Sequence, residues 1–280
     1  MPVLDGEAHV ADQLAALAGQ TYAGDWELVV ADNGCRDGTI DIVRGMEPQL
    51  PPLVIADARA RRGLNHARNV GAQAARGDLL AFCDCDDVVS TGWLEAMARA
   101  ARRADVVGGR LEAELLNDAT VRAWRPSEPM TELVREQGYL PYAAGGNMAV
   151  WTQVARAIGW DEEFRFGSSD SGFAWQAQMA GYTLAFAPDA LVHQRYRRTI
   201  RATARQYYHY GASGPQLYRT FRAHGMPAPD NRDALRRWRR LAHNAPDLWR
   251  SRAQRGAWIR TASFRLGRVA GSIRARVICL

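Results

Sequence analysis

The chain has 280 residues, enough for one large α/β domain with an appendage, and its composition argues against several classes of protein. No run of 18 apolar residues predicts a transmembrane helix, and the first residues, Met1 to Asp5, lack the basic and apolar regions of a signal peptide. The four cysteines have neither disulfide nor zinc spacing, which favours a reduced, cytoplasmic setting.

Charge divides the chain into two parts. All 36 basic residues are arginines, and the net charge is +6. Residues 195–280 hold 20 arginines and 3 acids, a net charge of +17, whereas residues 1–194 hold 16 arginines and 27 acids, a net charge of −11. An acidic body joined to a basic tail predicts an anionic surface as a partner.

Strand and helix patterns alternate along the first 195 residues, as expected of an α/β domain. Val3-Leu4 ends a very short first strand, and we expect residues 1–4 to pair within the sheet because unpaired backbone groups are costly when buried. The other predicted elements are helix 7–19, strand 26–31, helix 38–47, strand 53–56, helix 64–76, strand 79–82, helix 93–102, strand 105–109, strand 143–150 and helix 171–180.

Three carboxylates follow the apolar run Leu79 to Phe82, which is typical of a strand buried in a parallel sheet. Because side chains alternate along a strand, Asp84 and Asp86 are expected to point the same way, roughly 6.6 Å apart. Clustered acids repel one another unless a cation lies among them, and carboxylate oxygens suit Mg²⁺ or Mn²⁺. The alternative is a polar turn that caps the next helix through Ser90 or Thr91.

The acids lie in register with three further motifs. These are Asp32-Asn33-Gly34-Cys35-Arg36-Asp37-Gly38-Thr39, Ala67-Arg68-Asn69-Val70-Gly71 and Ala75-Arg76-Gly77-Asp78. In order and spacing, residues 2–195 resemble the family-2 glycosyltransferases of GT-A fold, bacterial and inverting. The resemblance implies a GT-A α/β catalytic domain at 1–195, with a mixed, mostly parallel sheet flanked by helices. A basic helical region at 196–280 follows it.

The resemblance also implies a reaction and the residues that carry it. The reaction is metal-dependent transfer of a sugar, with inversion, from a nucleotide-diphosphate donor of UDP type to an acceptor hydroxyl, in glycan or cell-envelope glycoconjugate synthesis. Asp170 would be the general base, although Ser169 stands where the family has Glu. The metal ligands would be Asp84, Asp86 and His193, holding Mn²⁺ or Mg²⁺. The donor would be bound by Asp32, Arg68, Asp84, Cys85, Gly146 and Asn147.

Three of these residues, Asp32, Asp170 and His193, also have a structural interpretation. Asp32 would accept a hydrogen bond from the imide N–H of the base, but it also ends a strand. Asp170 is otherwise a first-turn acid favoured by the helix dipole, and a lone histidine such as His193 at a strand end is usually structural. Residues 111–140 are weakly patterned and are expected to cover the acceptor side.

The basic tail is predicted to be mostly helical. Residues 199–222 have a helical pattern that Pro227 and Pro229 interrupt, and apolar residues recur every three or four positions from Trp258 to Ile278. This stripe, which comprises Trp258, Ala262, Leu266, Val269, Ile273 and Val277, predicts an amphipathic helix. Such a helix lies on an anionic membrane surface or packs against the catalytic domain. We therefore expect a cytoplasmic protein, peripheral at the inner face of the plasma membrane, with a possible lipid-linked acceptor.

Two rival functions are weighed against glycosyl transfer. A nucleotidyltransferase of related fold would need a glycine-rich signature close to the N-terminus, which the sequence lacks. A non-catalytic membrane- or nucleic-acid-binding protein is favoured only by the arginine-rich tail. Because no recognised nucleic-acid module accompanies that charge, nucleic acid is not expected as a partner.

Overall fold

The predicted alternation of strands and helices is present in the computed structural model, which describes residues 1–164 and 167–279. Arg165 and Phe166, in the segment before Asp170, lie outside the described residues, as does Leu280 at the end of the tail. The strands are β1 Pro2–Val3, β2 Leu28–Asp32, β3 Leu53–Asp57, β4 Leu79–Cys83, β5 Val88–Val89, β6 Val106–Glu112, β7 Asn147–Trp151 and β8 Leu184–His193. The helices are α1 Val10–Ala18, α2 Thr39–Met46, α3 Leu64–Ala74, α4 Trp93–Ala101, α5 Ala119–Trp124, α6 Thr152–Ile158, α7 Ser169–Met179, α8 Ile200–Phe221, α9 Asn231–His243 and α10 Arg252–Ala275.

The strands form two sheets. The first has the order β1-β2-β3 and is parallel, and Pro2 and Val3 pair with Ala31 and Asp32. The prediction that residues 1–4 pair within the sheet is therefore confirmed. The second has the order β4-β7-β6-β8-β5, in which only the pairing of β6 with β8 is parallel among the described strands.

The expectation that β4 lies in a parallel sheet is wrong, because β4 pairs antiparallel with β7. An apolar run shows that a strand is buried on both faces, but it carries no information about the direction of its neighbour. The positions predicted for β4 and for the acids that follow it are unaffected, because both depend only on where the apolar run ends in the sequence.

An apolar cavity of about 620 Å³ separates the two sheets. Val29 and Ala31 of β2 line one side, and Leu80 and Phe82 of β4 line the other. The α-amino group of Met1 donates a hydrogen bond to the carbonyl oxygen of Val29, 2.8 Å away, at the margin of this cavity. The sheets are therefore joined by the helices that pack across them rather than by hydrogen bonds between β1 and β4.

Aromatic packing fixes α7 relative to the end of β4. The ring of Trp160 stacks on Phe173 of α7 with centroids 4.2 Å apart, and it contacts Phe82 of β4 at 4.7 Å. All three side chains are buried. Because such rings bury large areas with restricted geometry, the first turn of α7 is held beside the acids that follow β4.

The tail packs against the preceding part of the chain through α8. Trp175 of α7 forms a buried cluster with Leu217 and Phe221 of α8, and its ring meets that of Phe221 edge to face at 5.2 Å. The predicted boundary between residues 195 and 196 remains a prediction, although the composition of the chain changes there.

Helices α8 and α10 approach each other through glycines. A Cβ atom at Gly211, Gly267 or Gly271 would lie 1.9 to 2.3 Å from a backbone oxygen of the other helix. Such distances are below any real contact, so the two backbones meet at positions where only glycine fits. The small residues of α10 therefore form its buried face.

The predicted apolar stripe of α10 is not that face. Leu266 is 54% exposed and Ile273 is 74% exposed, whereas Ala262 of the same stripe is buried. The apolar periodicity was read from the large side chains. Helix α8 packs instead against the face of α10 that carries the glycines. Of the helices in the described part of the chain, none combines the length and hydrophobicity needed to cross a bilayer.

Candidate active site

Three carboxylates meet directly after β4. Oxygen atoms of Asp84, Asp86 and Asp87 lie within 4.8 Å of one another. Because β4 ends at Cys83, residues 84–87 form a turn, and the alternation expected of a strand does not apply to them. The turn brings Asp87 to the same place as Asp84 and Asp86. Sequence reasoning missed Asp87 because it assumed that the strand continued.

The electrostatics of this acidic cluster suit a bound cation. Burial, together with the charges of Asp86 and Asp170, raises the pKa of Asp84 to about 6, while Arg68 opposes the rise. Burial also raises the pKa of Asp87 to about 8, with the charges of Asp84 and Asp86 adding to the effect. A hard divalent ion relieves this repulsion, and the three donors are carboxylate oxygens, so the residues fit Mg²⁺ or Mn²⁺.

Arg68 joins the acidic cluster to the predicted base. Its Nη1 atom donates to Oδ1 of Asp170 at 2.6 Å, and its Nη2 atom lies 3.7 Å from Oδ1 of Asp84. The side chain is almost completely buried. A buried guanidinium needs carboxylate partners, and Arg68 obtains them from both halves of the site.

Asp170 is held by three donors at the start of α7. Besides Arg68, the backbone N–H of Gly145 donates to its Oδ2 at 2.8 Å, and the hydroxyl of Ser169 donates to its Oδ1 at 3.2 Å. A carboxylate offers about four lone-pair positions. One position therefore remains for a proton or a substrate hydroxyl.

Two glycines allow these acids to approach. A Cβ atom at Gly145 would lie 2.4 Å from Nη2 of Arg68, and one at Gly146 would lie 2.5 Å from Oδ2 of Asp84. Arg68 and the acids of the site therefore leave no room for a side chain at either position. Contact of Gly146 with the donor stays a prediction.

The remaining donor residues occupy different positions. Asp32 ends β2, and its Oδ1 accepts the backbone N–H groups of Gly34 and Cys35 at 3.0 and 2.8 Å. Cys85 packs beside Gly6, where burial raises the pKa of its thiol to about 12. The thiol is therefore a neutral packing group. Roles of Asp32 and Cys85 toward a nucleotide remain predictions.

Asn147 has a structural role in the fold. Its Nδ2 donates to the carbonyl oxygens of Arg110 and Ala190 at 2.8 and 3.0 Å, and its Oδ1 accepts from Nε1 of Trp93 at 2.8 Å. The side chain is completely buried. The amide group is therefore occupied by bonds within the protein. Its contact with the donor remains a prediction.

His193 is paired with a carboxylate that sequence reasoning missed. Its Nδ1 forms a hydrogen bond with Oε1 of Glu112, and the two residues are register partners on β8 and β6. A carboxylate on one ring nitrogen orients the other and is common for metal-bound histidines. The cluster of mutually close ligand atoms comprises Asp84, Asp86 and Asp87, and ligation by His193 remains a prediction.

Arginines that begin the tail cover the acidic cluster. Nη1 of Arg197 contacts Oδ2 of Asp86 at 2.8 Å, and the backbone N–H of Arg195 donates to Oδ1 of Asp87 at 2.7 Å. The run Arg195 to Arg198 is visible in the sequence, but its partner is set by the fold.

Comparison with known proteins identifies the family. Residues 1–159, more than half of the chain, match the family described as glycosyl transferase family 2. The chain belongs to that family, and the resemblance predicted from the four motifs is confirmed.

Two curated relatives show the range of similarity. The chain is 28% identical over 194 residues to the glycosyltransferase AglE of Haloferax volcanii, a match that covers 68% of this chain and 64% of AglE. It is 29% identical over 174 residues to the succinoglycan biosynthesis protein ExoM of Rhizobium meliloti, covering 60% and 56%. The matched regions thus span less than two thirds of either relative.

Solved structures confirm the predicted GT-A fold. The mannosyltransferase PcManGT of Pyrobaculum calidifontis, in complex with GDP-Man and Mn²⁺, has a TM-score of 0.60 at 19% identity, covering 96% of this chain and 85% of that one. TarS 1–349 of S. aureus, in complex with UDP-GlcNAc, has a TM-score of 0.55 at 17% identity, covering 99% and 90%. Identities this low show a shared fold alone.

Proposed function

We propose that this protein transfers a sugar from a nucleotide-diphosphate donor to an acceptor hydroxyl, with inversion at the anomeric carbon. The observation that carries the proposal is the Arg68 bridge, which places the acidic cluster and Asp170 on one guanidinium. Acids that bind a metal and a separate carboxylate that takes a proton are the two groups that such a displacement needs.

The proposed reaction is a single displacement at the anomeric carbon. The acceptor oxygen forms a bond to that carbon as the bond from the carbon to the diphosphate oxygen breaks. The hydroxyl proton passes to Asp170, and the nucleoside diphosphate leaves with the electron pair. Attack opposite the leaving group inverts the configuration, and Asp170 is positioned for the proton by Arg68 and the N–H of Gly145.

A divalent ion would be held by Asp84 and Asp86, with His193 as the further ligand predicted from sequence and Asp87 as the third acid of the cluster. When bound, the ion supplies positive charge that neutralises the departing diphosphate. Arg197 lies on Asp86 and would contribute cationic charge at the same place. Mn²⁺ in PcManGT, a structure of similar fold, supports this choice of ion.

The donor is proposed to be a UDP-sugar. UDP-GlcNAc in TarS supports this choice, although PcManGT holds GDP-Man. A carboxylate such as Asp32 accepts from the imide N–H that uracil and guanine both carry, and it disfavours bases without that donor. The acceptor hydroxyl is proposed to belong to a glycan or a cell-envelope glycoconjugate.

The proposed function is tested with a panel of UDP- and GDP-sugars, assayed for release of the nucleotide in the presence of Mn²⁺. We expect one donor to be turned over faster than the others and UDP to compete with it. Asp32→Asn should weaken binding of UDP, since the amide loses one acceptor. If no nucleotide sugar is turned over and none binds, glycosyl transfer is the wrong function.

The tail is proposed to hold the enzyme at the cytoplasmic face of an anionic membrane. Its net charge of +17 from Arg195 onward is combined with exposed apolar side chains on α10, namely Leu266 and Ile273. Each arginine near an anionic surface contributes about 1 kcal/mol. The charge and the apolar side chains together are sufficient for peripheral attachment without a membrane-spanning segment.

We expect the protein to co-sediment with vesicles of anionic lipid but not of neutral lipid, and less so in high salt. Replacing both Leu266 and Ile273 by Ser should weaken binding without disturbing the glycine contacts between α8 and α10. Exposed arginines of the catalytic body, Arg102 and Arg103, provide the control when both are changed to Gln. Equal recovery with neutral vesicles, or none with either kind, would contradict the proposal.

A further inference from the structure

Four tyrosines lie within electrostatic range of Arg125. The guanidinium carbon of Arg125 lies 4.7 Å from the ring centroid of Tyr196. Tyr207 and Tyr210 of α8 form a ring pair with centroids 5.6 Å apart. The tyrosine cluster comprises Arg125, Tyr142, Tyr196, Tyr207 and Tyr210.

The tyrosine cluster is adjacent to Asp170. Tyr142 lies three residues before Gly145, whose N–H binds Asp170. The ring of Tyr210 is 3.1 Å from the position that a Cβ atom would take at Gly167, just before α7. Burial raises the pKa of Tyr142 and of Tyr210, Asp170 raises both further, and Arg125 lowers both. Both hydroxyls therefore lie within electrostatic range of the base and of the arginine.

Arg125 has no carboxylate partner among the described residues. Its guanidinium makes neither an ion pair nor a hydrogen bond there, in contrast to Arg68, which is paired twice. A partly buried cation without a counter-ion is costly unless something anionic binds to it. Tyr210 is 38% exposed and Arg125 is only partly buried, so solvent reaches part of the tyrosine cluster.

We propose that the tyrosine cluster is an acceptor subsite for a sugar that carries a phosphate or diphosphate, with the anionic group bound by Arg125. The planar guanidinium fork matches phosphate oxygens, and tyrosines offer an apolar face and a hydroxyl to a sugar ring. This proposal rests on the proposed function, because it assigns the acceptor of the same reaction.

The charges of the site set the direction in which the acceptor binds. Asp170 and Glu136 lie near enough to Tyr142 to raise its pKa, whereas Arg125 lowers it. A phosphate is repelled by the acids and attracted by the arginine. The anionic end of the acceptor therefore lies at Arg125, and its reacting hydroxyl lies at Asp170.

Binding of glucose 1-phosphate, measured calorimetrically at physiological ionic strength with excess EDTA, tests the subsite apart from donor and metal. EDTA is needed because a divalent ion would bring phosphate to Asp84 and Asp86. Methyl glucoside is the neutral comparison. We expect glucose 1-phosphate to bind and methyl glucoside to bind at least about 10-fold more weakly, the range for hydrogen bonds to charged groups.

Arg125→Gln should reduce the affinity for glucose 1-phosphate about 10-fold or more, and Arg125→Lys should recover part of it. Arg122→Gln is the matched control, since Arg122 lies on helix α5, which ends just before Arg125, and is near Glu114 rather than the tyrosines. This control also separates specific binding from diffuse attraction to the basic tail. Equal affinities for Arg125→Gln and Arg122→Gln, or no binding of glucose 1-phosphate by the unchanged protein, would overturn the proposal.

Citronellyl phosphate distinguishes the two sources of such an acceptor. Tighter binding than glucose 1-phosphate indicates a lipid phosphate, and weaker binding indicates a soluble sugar phosphate; dependence on Arg125 is expected in both cases. Binding of UDP with Mn²⁺ is measured separately on the same variants and should not change. If the unchanged protein does not bind UDP, the proposed function is contradicted. The measured binding of glucose 1-phosphate and its dependence on Arg125 can still be interpreted.

Discussion

Changing Asp170 to Asn should reduce sugar transfer by about 10²- to 10⁴-fold, the usual contribution of a general base. Asparagine keeps the size of the side chain but cannot take the proton of the acceptor hydroxyl. Arg68 would lose the negative charge of its 2.6 Å partner and keep only the carboxylate of Asp84 at 3.7 Å. A modest loss of thermal stability is therefore expected alongside the loss of activity.

Binding of the nucleotide with Mn²⁺ should persist in this variant, because the acidic cluster is unchanged. Asp189→Asn is the control, since Asp189 is an exposed acid paired with Arg99 away from the site. Transfer should be normal in the control and its melting temperature should be close to that of the unchanged protein. Near-normal transfer by Asp170→Asn would place the base elsewhere and leave Asp170 as a partner for Arg68.

Changing Asp86 to Ala should abolish metal-dependent turnover while the protein stays folded. Excess chelator should have the same effect on the unchanged protein, with recovery on adding Mg²⁺ or Mn²⁺. The side chain of Asp86 pairs with half-exposed Arg197, so its removal does not leave a buried cation unpaired. Turnover is measured as nucleotide release, and metal binding as the rise in melting temperature on adding Mn²⁺.

This variant should also be more stable than the unchanged protein when both are metal-free. The charge of Asp86 raises the pKa of Asp84 and of Asp87, which means that the three acids repel one another. Asp12→Ala is the control, since Asp12 is an exposed acid paired with Arg195 of the same basic run. Full activity of the unchanged protein in excess chelator, or a normal response of Asp86→Ala to Mn²⁺, would refute the metal site.

The part of the site that directly follows the end of an apolar run could be predicted from the sequence. The apolar run ending at Phe82 located the acids, and the separate motif around Arg68 indicated a second component. What the sequence did not supply was the pairing between them, because the contact of Arg68 with Asp170 spans 102 residues. Glu112, the partner of His193, had no signal of its own for the same reason.

The tail shows a different limit of sequence reasoning. The predicted stripe on α10 consisted of large apolar side chains, but backbone contact between helices selects small ones, and glycines at 267 and 271 carry no weight in a hydrophobic pattern. Helix α9 was not predicted, although Asp230 precedes it and accepts the N–H groups of Arg232 and Asp233 as an N-cap. Asp230 could have predicted the start of this helix from the sequence. The arginines that follow it were interpreted only by their charge.

The position of Arg68 between two acids has a consequence for binding. A cation bound at Asp84 takes over the neutralisation of that carboxylate, so the guanidinium is released to Asp170 alone. Loading the donor side would then complete the arrangement of the acceptor side, and by linkage an occupied acceptor side would favour donor binding to the same extent. Shared use of one buried arginine therefore predicts that donor and acceptor each bind more tightly when the other is present.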